Sequence, residues 1–98
     1  MSADLNIFKN YLRLFTVDER ITVWHMAVVF GIIQLSTSSN IQKPIFISRQ
    51  KVMHLAHINS FMTYHKCIKD LQVFGYIQYI PSYHPALGSQ VYLLNVYK

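Results

Sequence analysis

Acidic residues are scarce in this chain, and their placement matters more than their number. Four Asp and Glu stand against nine Lys and Arg, a net charge of +5. Beyond Arg20 the one acid is Asp70, set against Arg20, Lys43, Arg49, Lys51, Lys66, Lys69 and Lys98. Paired carboxylates are therefore missing from that stretch, which removes most general acid–base hydrolysis schemes. The three glycines are scattered and form no phosphate-cradling loop. Cys67 is the only cysteine; it makes no internal disulfide, and a reducing compartment is the natural reading. A long apolar run is also lacking. The segment 21–35, ITVWHMAVVFGIIQL, falls short of the roughly 20 residues a bilayer needs and carries His25 and Gln34. It reads as the central helix of a soluble core, with no membrane partner. The first residues lack a basic stretch leading into an apolar run, so no secretory signal is expected. A cytoplasmic location follows as an expectation.

What is present is apolar surface and positive charge. A 52% hydrophobic share with thirteen Phe and Tyr plus Trp24 argues against disorder and for one packed domain. The same excess of cations leaves a positive field that attracts polyanions.

Apolar residues at Leu5, Phe8, Leu12 and Phe15, with Ile7, Tyr11 and Leu14 beside them, have helical spacing and predict a first helix over 3–15. Thr16-Val17-Asp18-Glu19 fits a capping box, so a second helix is expected over about 17–35. Ile45-Phe46-Ile47 after Pro44 reads as a short strand. Ser48 is a good N-cap for a third helix burying Val52, Leu55 and Ala56. A fourth helix over 59–74 follows, capped by Asn59 or Ser60, with Phe61, Tyr64, Ile68 and Leu71 as its core stripe, Cys67 at the edge and Gly75 as its stop. Residues 76–80 and 90–96 are rich in strand formers and flank a Pro- and Gly-containing loop, which makes a hairpin. The resulting fold class is α+β: a winged helix-turn-helix with an extra N-terminal helix and a C-terminal two-stranded wing hairpin. It forms a single domain, with 1–15 as the added helix and 16–98 as the core.

The stretch SFMTYHKCIKDLQVFGYI, starting at Ser60, resembles the recognition helix of MarR-like and GntR-like winged-helix regulators. The matching positions are Ser60, Thr63, Tyr64, His65, Lys66, Ile68, Leu71, Gly75, Tyr76 and Ile77. The resemblance covers about residues 45–96. It departs in the turn Ile58-Asn59-Ser60, which is one residue longer, and in the wing, which lacks the Asp-Arg pair of many MarR-like wings. The chain also resembles small winged-helix proteins carried on mobile elements of Bacteroidetes, which implies a role in regulating or assisting element transfer.

The major groove admits one α-helix, and only the face opposite the core meets base edges. On the fourth helix that face holds Met62, Lys66 and Lys69, flanked by Thr63 and His65. Ser60, Thr63 and Lys66 are expected at base edges, Met62 against a thymine methyl, and Lys69 at phosphate. Ser48, Arg49 and Lys51 open the third helix, where charge and free N–H groups hold phosphate. Asn59 belongs to the turn. In the wing, Ser82, Tyr83, His84 and Ser89 offer donors, but no Arg or Lys.

Other chemistry is set aside on residue type. His54, His57, His65 and Cys67 do not converge as zinc requires, and Cys67, which as a nucleophile would need a basic partner and exposure, lies at the edge of the core stripe and reads as a buried small apolar side chain. No cofactor, metal or catalytic site is expected. The expected partner is double-stranded DNA, bound by a transcriptional regulator or mobile-element accessory factor of bacterial type. The alternative is a winged-helix protein-interaction module without DNA readout. The first helix packs on the core or, in the other reading, forms a homodimer interface with Trp24 or the C-terminal strand.

Overall fold

The computed structural model describes residues 2–36, 43–82 and 88–94, with side chains from Asn6 onward. Four helices and three strands follow one another in the order α1 (Ser2–Val17), α2 (Val23–Gln34), β1 (Ile45–Ile47), α3 (Arg49–Ala56), α4 (Phe61–Val73), β2 (Ile77–Ile80) and β3 (Ser89–Leu93). The class is α+β.

The boundary between the first two helices lies beyond the expected one. Thr16 caps nothing: its hydroxyl donates back to the Leu12 carbonyl at 2.7 Å, and α1 runs on to Val17. The N-cap of α2 is Thr22, whose backbone N–H donates to His25 Nδ1 at 2.9 Å. Histidine thus fills the place usually taken by Glu or Gln. Between the helices Asp18 is gripped by Arg20, with Nε and Nη2 donating to the two carboxylate oxygens at 2.9 and 2.8 Å.

The hairpin expected to stand alone is part of a three-stranded antiparallel sheet in the order β1-β3-β2. Ile45 pairs with Val91 and Ile47 with Ser89, while Ile77 pairs with Leu93 and Ile80 with Gln90. Period-2 alternation sends Ile45, Ile47, Ile77 and Val91 into the core and leaves Phe46 and Ile80 outward. Gly88 enters β3 at φ +71°, and a Cβ there would lie 2.8 Å from the Ile47 carbonyl oxygen. Only glycine lets the chain pass so close to the end of β1.

The core lies between the inner sheet face and the helices. Val28, Val29 and Ile32 of α2, Val52 and Ala56 of α3, and Tyr64, Cys67, Ile68 and Leu71 of α4 fill it. Leu55 is only half-buried, and Met53 takes the inward place beside it. The first helix packs on this core through Ile7, Tyr11 and Phe15. Tyr11 is 1% exposed, and its hydroxyl donates toward the carbonyls of Tyr76 at 2.8 Å and Leu94 at 3.0 Å. Phe15 meets Tyr76 edge-on at 4.9 Å. The N-terminal helix is therefore joined to the start of β2 and the end of β3 by packing and by hydrogen bonds.

Both helices of the α3–α4 pair end in a left-handed residue. At the end of α4, Gly75 has φ 85°; its N–H donates to Gln72 O at 3.0 Å, and the Tyr76 N–H to Leu71 O at 2.9 Å. At the end of α3, His57 takes φ 57°, with its N–H on His54 O at 3.3 Å and the Ile58 N–H on Met53 O at 2.9 Å. Each is a Schellman motif, in which the two N–H groups satisfy carbonyls that the helix end would otherwise leave unpaired.

Candidate functional site

Ser60 is the N-cap of α4, its Oγ accepting from the Thr63 N–H at 3.3 Å; Asn59 sits exposed in the turn before it. From that start the 3.6-residue period fixes the helix faces. Tyr64, Cys67, Ile68 and Leu71 face inward. Met62, Lys66, Lys69 and Val73 stand at i, i+4, i+7 and i+11, one line directly opposite the core, and all four are exposed. His65 is exposed beside that line and Thr63 is half-buried on its flank.

Phe61 departs from its expected place in the core stripe. It is 53% exposed, and the Arg49 guanidinium lies over its ring at 4.3 Å. At the first position of the helix, Phe61 lies at the border of the core face, where the planar cation of α3 covers part of its ring. Arg49 itself follows the N-cap of α3, Ser48, whose Oγ accepts from the Lys51 N–H at 3.2 Å. Arg49 and Lys51 are both exposed.

The ion pairs among the described residues are Arg20–Asp18, His25–Asp70 and Lys66–Asp70. Among these residues no carboxylate pairs with Arg49, Lys51 or Lys69. Lys66 reaches Asp70 Oδ2 at 3.4 Å across one helical turn, with its side chain 77% exposed. Such a pair is worth only about 0.3–0.5 kcal/mol, so the ammonium is readily given up to a better anion. The same Asp70 Oδ2 accepts from His25 Nε2 at 2.9 Å. Because Nδ1 of His25 accepts from the Thr22 backbone, the proton facing Asp70 is placed on Nε2. First His25 and then Lys66 hold the Asp70 carboxyl below its ordinary range. Sequence reasoning missed this link, because it joins residues 45 positions apart.

The residues expected in a wing are placed unevenly. Ser89 opens β3 with its hydroxyl 3.0 Å from that of Tyr79, and Ser82 follows β2 half-buried. Tyr83 and His84 lie outside the described residues. Cys67 is buried, and that burial, followed by the nearby Asp70 charge, pushes its thiol up. Among the described residues no three His, Cys, Asp or Glu side chains are grouped to hold a metal ion, and no helix is long and apolar enough to cross a membrane.

A second surface of different character lies between α1 and α2. Phe8, Leu12, Phe15, Val23, Met26 and Phe30 line an open groove of about 330 Å³, with the rings of Phe8 and Phe30 5.6 Å apart. No family model matches the chain, and neither a curated protein nor a solved structure matches it.

Proposed function

We propose that this protein is a winged helix-turn-helix domain that binds duplex DNA through α4 in the major groove. One observation carries the reading. The line Met62–Lys66–Lys69–Val73 stands opposite the core on the second helix of a tight helix-turn-helix pair, and Arg49 and Lys51 open the helix before it. The element order from α2 through β3 and the sheet order β1-β3-β2 are compatible with that layout. In the proposed complex Ser60, Thr63 and Lys66 approach base edges; Lys69, Arg49 and Lys51 neutralise phosphates; and the wing, short of cations, adds little. The biological setting proposed is a bacterial transcriptional regulator or mobile-element accessory factor, without catalysis. A homodimer belongs to the same reading, with the α1–α2 groove as its face.

Fluorescence anisotropy with labelled duplex over a salt series tests the proposal. Three neutralised phosphates lower affinity by about fortyfold between 50 and 200 mM salt, since each releases its condensed counterions. Lys66→Glu weakens binding by about ten- to a hundredfold and leaves thermal stability nearly unchanged. The stoichiometry of the same titration, one or two copies per site, decides the homodimer. Affinity that ignores salt overturns the reading and favours a protein-interaction module, for which the apolar groove is the surface at hand.

A further inference from the structure

The open end of α4 is not simply cationic. Its first two residues are Phe61 and Met62, 53% and 84% exposed, set about 100° apart around the helix axis with apolar surface left in water on both. Arg49 lies over Phe61 at 4.3 Å, and Lys66 stands one turn beyond Met62 on the same line. The result is an apolar tip flanked by cations. Two contiguous properties select its occupant: a polyanion to satisfy the charges, and an apolar protrusion to meet the tip. Duplex DNA offers both, and in the major groove its apolar group is the C5-methyl of thymine. Neither apolar side chain can hydrogen-bond a base edge, so the tip discriminates by shape and desolvation alone.

We propose that Phe61 and Met62 form a methyl-reading tip, so that the chain prefers sites with a C5-methylated pyrimidine under the amino-terminal turn of α4. This rests on the duplex-binding reading above and adds to it the base feature that the site takes. Met62, on the line facing away from the core, makes the direct contact. Phe61, at its side, supplies the apolar wall and holds the Arg49 guanidinium flat, turned toward the neighbouring phosphates. A pyrimidine with a bare C5 leaves the Met62 thioether facing an unfilled space and forfeits that contact.

The test begins with duplexes selected by the full-length protein from a random library. The best duplex is resynthesised with deoxyuridine replacing thymidine one position at a time, which removes a methyl and nothing else. Replacement at one or two positions lowers affinity about three- to fivefold for each methyl contacted, and 5-methyldeoxycytidine at the same position restores part of the loss where pairing is rebuilt around it. Met62→Ala binds more weakly and no longer distinguishes the two duplexes, while its thermal melting is unchanged. Phe61→Leu, which keeps an apolar side chain but loses the ring under Arg49, retains methyl discrimination while losing overall affinity. A selected duplex bound equally well with deoxyuridine throughout overturns the methyl reading and leaves DNA binding standing, as does a Met62→Ala variant that still discriminates. Failure to enrich any particular duplex overturns the methyl reading alone, and failure to retain duplex at all overturns both.

Discussion

At its amino-terminal end α4 lies open, with Phe61, Met62, His65 and Lys66 exposed and a serine hydroxyl as its cap. At its carboxyl-terminal end it is tied to three other parts of the chain. Asp70 accepts from His25 of α2, and Gln72 Oε1 accepts from the Tyr79 N–H of β2. The Arg20 guanidinium lies over Phe74 at 4.2 Å. Just past the Gly75 turn, the Tyr76 hydroxyl donates to Asp18 at 2.6 Å while its carbonyl accepts from Tyr11. The difference between the ends divides the labour. Side chains at the closed end hold the helix against the rest of the chain, and those at the open end stay exposed, where the proposed duplex would meet them. Substitutions at the two ends should therefore separate cleanly, stability responding at one and binding at the other.

Alkali applies the largest expected stress to the buried phenols, two of them at the closed end and one on the inward face of α4. Burial pushes the Tyr76 phenol up to about 12, helped by its bond to the Asp18 carboxylate, and burial likewise raises Tyr64 to about 12. Tyr11 is raised further by the same cause. A tyrosine whose proton is held more tightly in the folded state contributes stability that is fully present below its unfolded pKa of about 10. That contribution is lost as pH rises from about 10 through about 12. Thermal melts across this range should therefore fall steeply, with tyrosinate absorbance appearing together with unfolding. Ionisation of all seven phenols near pH 10 in a protein that stays folded would show Tyr11, Tyr64 and Tyr76 to be open to water.

Tyr11→Phe is the next test, and it acts on that end alone. It removes the donor from two carbonyls, one of which, at Tyr76, also takes the Leu94 N–H at 2.9 Å. Leaving such groups short of a partner costs about 1–3 kcal/mol. Urea titration should show this loss with an unchanged slope, while duplex affinity at a temperature where the variant is folded stays within about twofold. Lys66→Glu provides the opposite pattern. A Tyr11→Phe variant that binds as poorly as Lys66→Glu would join the two ends into one unit.

The two ends also differ in how far they can be read from residue order. Ser48, Ser60 and Gly75 were legible because caps and stops act over three or four residues, and the outward line of α4 follows from period alone. The closed end was not. Asp18 and Glu19 follow a threonine as a capping box does, but Asp18 is claimed by Arg20 and by Tyr76, 58 positions away. The actual cap uses His25, a residue its neighbours do not single out, because its other ring nitrogen is fixed by Asp70. Phe61 was misplaced for a related reason: helical spacing allows it in the core stripe, and only the position of Arg49 on another helix explains its exposure. The third strand joins the hairpin through pairings 42 to 46 residues apart. Local chemistry was legible, and long-range competition for the same groups was not.

The smallest effect comes from the turn that leads into the open end. The same Schellman geometry closes α3 on His57 and α4 on Gly75, at φ 57° and 85°. A side chain with a Cβ in this region costs about 1 kcal/mol or more relative to glycine, although histidine tolerates it better than most residues. His57 is exposed, so its ring takes no place in the core. His57→Gly should relieve the strain, offset in part by the greater freedom of glycine in the unfolded chain. The expected net gain is about 0.5 kcal/mol, read as a higher urea midpoint at constant slope. Duplex affinity should be unchanged, because Ser60 still caps α4 and the outward line begins beyond the turn. A loss of stability would mean that the imidazole supports the turn, and a loss of affinity would extend the open end back across the turn to α3.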